Sequence, residues 1–540
     1  MATCGEVLVT LLARYGVTQV FGIPGVHTVE LYRGLAASSL RHVTPRHEQG
    51  AGFMADGYAR SAGKPGVCFI ITGPGMTNIT TAMGQAYADS IPMLVISSTQ
   101  ARQHLGGGRG NLHELPDQRA LVAGVCAFSH TLMSADDLPA VLARAFAVFD
   151  GARPRPVHIE IPLDVIVQPA GHLLGTAPVR IDRAGPAPAA LARMAERLGQ
   201  ARRPLILAGG GALKAGAALR ALAERLQAPV LLTINGKGLL PAGHPLLVGS
   251  TQSLAPSRAL VDAADVVLAI GTELADTDYD ITFANPFSVK GELLRVDIDP
   301  DQTVRNCPPT QALVADARLA AEALLAALPA TAAAEAGWGA ARVAEVRATQ
   351  AAEQDLPMRA QTALLTSLLE ALPGAVLVGD STQPVYSGNL TLDMPAPGRW
   401  FNASTGYGTL GYALPAAMGA WLGSGAPTLC LIGDGGLQFT LAELASGVEA
   451  GIPLVVILWN NQGYEEIKRY MERRSITPVG VDIYTPDFVG IARAMGCHAL
   501  AVADRAGLLS AVREAAAGQR PTLIEIDQHT WTEHYAHAPF

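Results

Sequence analysis

Short apolar runs separated by helix-length stretches recur along the whole chain. Residues 1–167 carry QVFGIPG (19–25), GVCFIITGPG (66–75), PMLVISS (92–98) and PVHIEIP (156–162). A stretch enriched in proline and glycine, 168–188, reads as a linker. Residues 188–330 repeat the pattern with RPLILAGGG (203–211), PVLLTING (229–236), ADVVLAIGTEL (264–274) and LLRVDIDP (293–300). The segment 315–360 is alanine-rich and predicts a helix plus a connection. Residues 361–530 add AVLVGD (375–380), RWFNAS (399–404), TLCLIGDG (428–435), PLVVILWNN (453–461) and TLIEID (522–527). Strands alternating with helices build parallel sheets, so the pattern predicts an α/β chain of three doubly wound parallel-sheet domains: 1–167, 188–330 and 361–530.

Two of these runs end in chemistry. One stops at Gly433-Asp434-Gly435 and another at Asn460-Asn461, with a helix-like stretch between them. Parallel strands joined by a crossover helix bring both ends to one carboxyl edge of a sheet, where α/β folds bind ligands. A carboxylate, an amide oxygen and nearby carbonyls form a hard oxygen set suited to Mg²⁺ or Ca²⁺, and Mg²⁺ held by so few groups keeps a diphosphate as a further ligand. The plainer reading is two turn-forming dipeptides, which the paired spacing disfavours. In TPRHEQGAGFMADGYAR (44–60), Glu48 is followed by small residues that allow close packing. An acid so placed is poorly solvated and suited to holding or relaying a proton; the alternative is a first-turn helix carboxylate. The loop Thr72-Gly73-Pro74-Gly75-Met76-Thr77-Asn78 reads as a tight turn where backbone approaches something closely, or simply as a turn. Gly406-Tyr407-Gly408-Thr409-Leu410-Gly411 fits GxGxxG, which makes a Rossmann dehydrogenase the rival, although the following acid is Asp434 of the metal motif.

Bulk properties narrow the class. The 540 residues are 49% hydrophobic and 16% charged, with formal charge −8 and no dense basic cluster, which argues against nucleic acid as a partner. Six cysteines lie far apart without a CxxC pair, as buried thiols in a reducing compartment do. Glu6 and Arg14 interrupt the first apolar stretch, unlike a secretory signal, and no run is long enough for a membrane span. A cytoplasmic metabolic enzyme is expected.

GDG followed by NN resembles the signature of thiamine diphosphate-dependent enzymes. FGIPG (21–25), HEQGA (47–51), TGPGMTN (72–78) and GYALPAAMG (411–419) resemble the other landmarks of their acetolactate synthase and 2-oxo acid decarboxylase branch, in that family's order. The resemblance implies pyrimidine-binding, middle and diphosphate-binding domains. It implies thiamine diphosphate held at Gly25, Glu48, Thr72, Pro74, Asn78, Gly408, Leu410, Gly433, Gly435, Gly436 and Asn461, and Mg²⁺ bound by Asp434, Asn461 and the Gly463 carbonyl. Glu48 would meet N1′ of the aminopyrimidine, and Leu410 would hold the cofactor bent unless it is an ordinary core leucine. Because Glu48 and the diphosphate site lie on different domains, the resemblance implies a bridge between subunits in a homodimer or homotetramer.

Which reaction follows is less constrained. Non-oxidative decarboxylation of a 2-oxo acid ends in protonation; acetolactate synthase-type carboligation ends in addition to a second oxo acid. Acetolactate synthases resemble one another in a G-x-R-F-D-D stretch that helps to hold FAD. Here Gly271-Thr272-Glu273-Leu274-Ala275-Asp276 puts a carboxylate at the arginine position, which argues against FAD. His113 takes the place of a glutamine, and His27 follows the FGIPG turn; either imidazole could donate the closing proton, or be a surface histidine. No adjacent His-His pair, typical of pyruvate decarboxylases, occurs. Glu114, Glu465 and Glu466 beside Ile467, with Asp276 or Asp278, could line an acidic pocket for a cationic side chain. The pattern looks similar to 5-guanidino-2-oxopentanoate decarboxylases, with Glu465–Arg469 as an ordinary helix pair the competing reading.

Overall fold

A computed structural model of the protein describes residues 2–280, 285–331 and 333–537. Among the described residues, eighteen strands form three six-stranded sheets in which every described pairing is parallel. The first sheet contains β1 Gln19–Gly22, β2 Arg41–Val43, β3 Gly66–Ile70, β4 Met93–Thr99, β5 Phe128–Thr131 and β6 Val157–Pro162, ordered β2-β1-β3-β4-β6-β5. The second contains β7 Pro204–Ala208, β8 Val230–Leu232, β9 Leu247–Gly249, β10 Val266–Ile270, β11 Glu292–Asp297 and β12 Gln311–Val314, ordered β12-β11-β10-β7-β8-β9. The third contains β13 Val376–Gly379, β14 Trp400–Asn402, β15 Thr428–Gly433, β16 Val455–Asn460, β17 His498–Val502 and β18 Thr522–Asp527, ordered β14-β13-β15-β16-β18-β17. Three parallel sheets with intervening helices are the α/β class expected from the apolar pattern.

Five strands, β2, β5, β9, β12 and β17, were absent from that pattern, and each lies at the edge of its sheet. Central strands such as β3 and β16 are buried along their whole length and read as continuous apolar runs, whereas β2 and β17 are partly exposed. The alanine-rich segment 315–360 also differs from one helix plus a connection. It holds helices Ala317–Ala327 and Ala340–Ala352 and the start of Leu356–Ala371.

The chain divides into two compact units. One comprises Met1–Asp182, Gly406–Val502 and Ala511–Ile526; the other comprises Arg183–Thr405, Ala503–Ser510 and Asp527–Phe540. In the first, helix Glu48–Ala62 is buried on nearly every side, which its run of small residues permits. A Cβ at Gly57 would collide with the Ala416 carbonyl, and one at Gly419 with the Met54 carbonyl, so glycine lets this helix touch helix Ala413–Ser424 backbone to backbone. A closed polar cluster lies in the same region: Arg60 pairs with Asp56 at 2.7 Å and Asp89 at 2.6 Å, and Tyr412 donates to Asp56. In the second unit, apolar clusters cover both faces of the β7–β12 sheet. No described helix is long and apolar enough to cross a membrane.

Candidate active site

β15 and β16 pair with Gly433 opposite Trp459, so Asp434 and Asn460 leave the same carboxyl edge side by side. Asp434 opens helix Asp434–Thr440 and is 1% exposed. Gly463 N donates to its Oδ2 at 2.9 Å and Asn461 N to its Oδ1 at 3.4 Å. Burial pushes the Asp434 carboxyl up, and the surrounding amide donors oppose that shift. The loop is shaped to allow this convergence. Gln462 adopts φ +61°, and a Cβ at Gly463 (φ +150°) would stand 2.5 Å from the Val481 carbonyl. Gly435 is needed because a Cβ there would stand 2.6 Å from the Tyr464 ring. Asn460 serves the turn itself, accepting from Gln462 N at 3.1 Å and donating to Glu525 at 2.6 Å.

Asp434, Asn461 and Gly463 are therefore brought together. One carboxylate with an amide and a carbonyl is a hard-oxygen set that fits a divalent cation. Among the described residues there is no group of three or more His, Cys, Asp or Glu placed to hold a metal. A centre with a single carboxylate does not need one.

In the first sheet's half of the unit, His47 caps helix Glu48–Ala62 by accepting from Gln49 N at 3.1 Å, which places Glu48 in its first turn. Asn78 Nδ2 donates to Glu48 Oε2 at 2.9 Å, and a Cβ at Gly75 would lie 3.2 Å from Oε1. The tight turn expected over Thr72–Asn78 is confined to its start: the chain turns at Gly73 (φ +72°), and helix Pro74–Ala88 begins at Pro74 and carries Asn78. The turn after β1 is closed by Thr28, whose hydroxyl accepts from Gly25 N at 3.0 Å.

His27 and His113 arrive from separate loops as a pair. Their ring centroids lie 5.3 Å apart with the planes perpendicular. Both Nδ1 atoms are enclosed without a hydrogen-bond partner among the described residues. Burial, and then the neighbouring His113, hold the His27 imidazole below its ordinary pKa. His113 itself sits in the left-handed region at φ +62°.

The loop containing Gly408 (φ +75°) and half-buried Leu410 is tied down on both sides. Thr409 donates to Gln85 at 3.0 Å, and Thr440 donates to the Gly411 carbonyl at 2.9 Å. Four of the acids expected to line a substrate pocket have partners, while Asp276 is exposed. Glu114 accepts from Asn111 N at 2.9 Å and Arg109 N at 3.3 Å within its own loop, which holds its carboxyl below the usual range. Glu465 pairs with Arg469 one turn on, as helix neighbours do, Glu466 with Arg473 seven residues on, and Ile467 is exposed. Asp278 accepts from Ile234 N at 2.9 Å in the other unit.

Two buried residues escaped sequence reasoning. Glu443 accepts from Arg46 N at 3.0 Å and His47 N at 3.1 Å, immediately before Glu48, and its contact with Gly50 excludes any side chain there. Gln118 joins the Thr72–Gly73 turn to Ser97, Ser98 and Glu160. Behind it His158 is fully buried between Ser97 (2.8 Å) and Ser129 (2.7 Å), with burial lowering its pKa to about 3. The unfolded chain protonates His158 near pH 6.5 and the folded one does not, so stability falls as pH drops from about 6.5 toward 3, by about 1.4 kcal/mol per unit. The thermal midpoint of the natural protein is therefore expected to drop more steeply between pH 7 and 5 than that of His158→Asn; parallel curves would refute this.

Sequence comparison agrees with this architecture. The thiamine pyrophosphate enzyme N-terminal TPP binding domain matches residues 2–121, the central domain 191–324 and the C-terminal TPP binding domain 380–526. The chain belongs to the thiamine pyrophosphate enzyme family, as the motif resemblance implied. It is 51% identical to the probable 2-ketoarginine decarboxylase AruI of Pseudomonas aeruginosa, over 97% of this chain and 94% of the relative. It is 30% identical to the probable acetolactate synthase large subunit of Methanocaldococcus jannaschii, over 96% of this chain and 91% of the relative. With acetolactate synthase isozyme 3 large subunit of Escherichia coli it shares 29%, over 95% and 92% respectively.

Proposed function

We propose that the protein catalyses non-oxidative decarboxylation of a 2-oxo acid, with 5-guanidino-2-oxopentanoate (2-ketoarginine) as the substrate. The observation that carries the reaction class is the His27–His113 pair, which offers two imidazoles beside the Thr72–Asn78 loop. A decarboxylation that ends in protonation needs such a donor. The guanidino substrate is drawn from the likeness to the 2-ketoarginine decarboxylase, which is much stronger than that to the acetolactate synthases.

Asp434, Asn461 and the Gly463 carbonyl would hold Mg²⁺, with the backbone of Gly433, Gly435 and Gly436 offering N–H groups to the diphosphate. Bound thiamine diphosphate supplies a nucleophilic carbon and takes up the electron pair released with CO₂. Gly25, Thr72, Pro74, Asn78, Gly408 and Leu410 orient it. Glu48, steadied by Asn78, holds a proton at the aminopyrimidine ring nitrogen. FAD forms no part of this reading: Glu273 stands in place of a cation, and the nearby Arg295 guanidinium is engaged by the Thr272, Glu273, Arg305 and Cys307 carbonyls.

A cytoplasmic homodimer or homotetramer, built from domains 1–167, 188–330 and 361–530, completes the proposal. Exposed apolar side chains near the two groups of site residues, Val26 and Leu112 on one side and Phe439 on the other, suit contact with a second copy. A panel of 2-oxo acids scored for CO₂ and for ligated product tests the reaction. Rapid CO₂ release from 5-guanidino-2-oxopentanoate is expected, with no flavin absorbance in the purified protein. Acetolactate formed from pyruvate as the main product would overturn the decarboxylase reading.

A further inference from the structure

We infer that Gln118 is a positioning residue, whose single amide sets the Thr72–Gly73 turn, at the start of helix Pro74–Ala88, and the His113 backbone in register for the bound cofactor. Gln118 is 4% exposed and lies on the short helix Gln118–Val122, which follows the loop bearing His113 and Glu114. Its Oε1 accepts from the Thr72 hydroxyl at 2.8 Å and from Gly73 N at 3.1 Å. Gly73 N can only donate, so the amide oxygen must face the loop and the amide nitrogen must face away. That nitrogen donates among the Ser98 carbonyl (3.0 Å), Glu160 Oε2 (3.1 Å) and Ser97 Oγ (3.0 Å).

The far end of this network is rigid. Thr131 donates to the other oxygen of buried Glu160 at 2.6 Å, and Ser97 is held against His158. The near end touches both groups of site residues. A Cβ added at Gly73 would meet the His113 carbonyl and side chain at 2.7–2.9 Å, so the two backbones are in direct contact, and the Thr72 hydroxyl lies 3.4 Å from the same carbonyl. Five residues on, Asn78 donates to Glu48. One buried amide thus fixes the turn that leads to the Glu48–Asn78 pair and the strained residue that presents an imidazole to His27. The inference rests on the reading that Glu48 faces thiamine diphosphate and His113 the substrate.

The test is thiamine diphosphate binding by titration calorimetry in saturating Mg²⁺, alongside the thermal midpoint of the cofactor-free protein. Gln118→Leu and Gln118→Glu are each expected to weaken binding by at least about tenfold, since leucine removes every bond of this network and glutamate replaces its donor with an acceptor facing Glu160 and the Ser98 carbonyl. The exchange Q118E/E160Q restores one donor–acceptor pair, because a carboxylate at 118 still accepts from Thr72 and Gly73 while an amide at 160 donates to it, but the Ser98 carbonyl then faces a carboxylate oxygen. Binding between that of Gln118→Glu and that of the natural protein is expected for this pair. Unchanged affinity in the single variants with a lowered cofactor-free midpoint would reduce Gln118 to a structural role and overturn the inference. So would a double variant no better than Gln118→Glu, and these two decide the matter if Gln118→Leu does not fold. Because binding is read directly, a protein that turned over no 2-oxo acid would sink the proposed reaction without touching this result.

Discussion

Asp434→Ala is expected to abolish Mg²⁺-dependent retention of thiamine diphosphate in a protein that still folds. The carboxylate sits at the end of β15 in a site that burial makes unfavourable for an uncompensated charge, and backbone N–H groups donate to it. Loss of a residue that merely supports a metal ligand weakens metal binding by about 10–100-fold, so loss of the ligand itself should exceed about a hundredfold. Cofactor supplied at about a hundred times its dissociation constant stabilises the folded protein by about 2.7 kcal/mol; a hundredfold weakening cuts this to about 0.4 kcal/mol. The thermal shift produced by cofactor and Mg²⁺ should therefore nearly vanish. Alanine also leaves the Gly463 and Asn461 amides without their acceptor, at about 1–3 kcal/mol for each that stays buried, so the cofactor-free midpoint falls as well. Asn461→Ala separates the two effects, since it keeps both amide bonds to Asp434 and should still reduce the shift. Tight, Mg²⁺-dependent binding in Asp434→Ala would remove this residue from the metal site.

The parts legible in the sequence are those whose signal is local. Central strands bury both faces and therefore read as apolar runs, and the motif at Asp434 and Asn461 places its residues at two consecutive strand ends, where parallel topology must bring them together. Edge strands such as β17 alternate between buried and exposed positions and fade into the surrounding loops. Residues whose partners are distant were not legible. Gln118 in LPDQRALV looks like an ordinary polar helix residue, because its bond to Thr72 spans 46 positions. Glu443 meets Arg46 across 397. The same limit worked in the other direction for the histidines: the chain has no adjacent pair, yet two loops assemble one from His27 and His113. At Glu465 and Glu466 the sequence leaves an acidic pocket and an ordinary helix pair both open, and arginines of the same helix engage both acids here. An acidic pocket for a guanidino group would have to draw on these carboxylates by displacing arginines already in place.

Glu48→Gln is expected to keep the fold and most of the cofactor affinity while slowing exchange of the thiazolium C2 proton by about 10²–10⁴-fold, the range for removal of a positioned acid–base group. Glutamine has the same shape, and its carbonyl oxygen can still accept from Asn78 Nδ2, so the first turn of helix Glu48–Ala62 and its His47 cap need not change. What it lacks is a proton that can be passed to and from a ring nitrogen. Exchange is read by quenching the protein in acid after a pulse of deuterium oxide and measuring the C2 proton by NMR, with affinity from calorimetry on the same sample. A decline in decarboxylation that matches the decline in exchange ties the two to one proton. An unchanged exchange rate with intact binding would show that Glu48 is a first-turn helix carboxylate and nothing more, and the relay would have to be assigned elsewhere. Asn78→Ala gives the intermediate case. It leaves the carboxylate in place and removes the donor that orients Oε2, so exchange should slow by less than in Glu48→Gln at similar cofactor affinity.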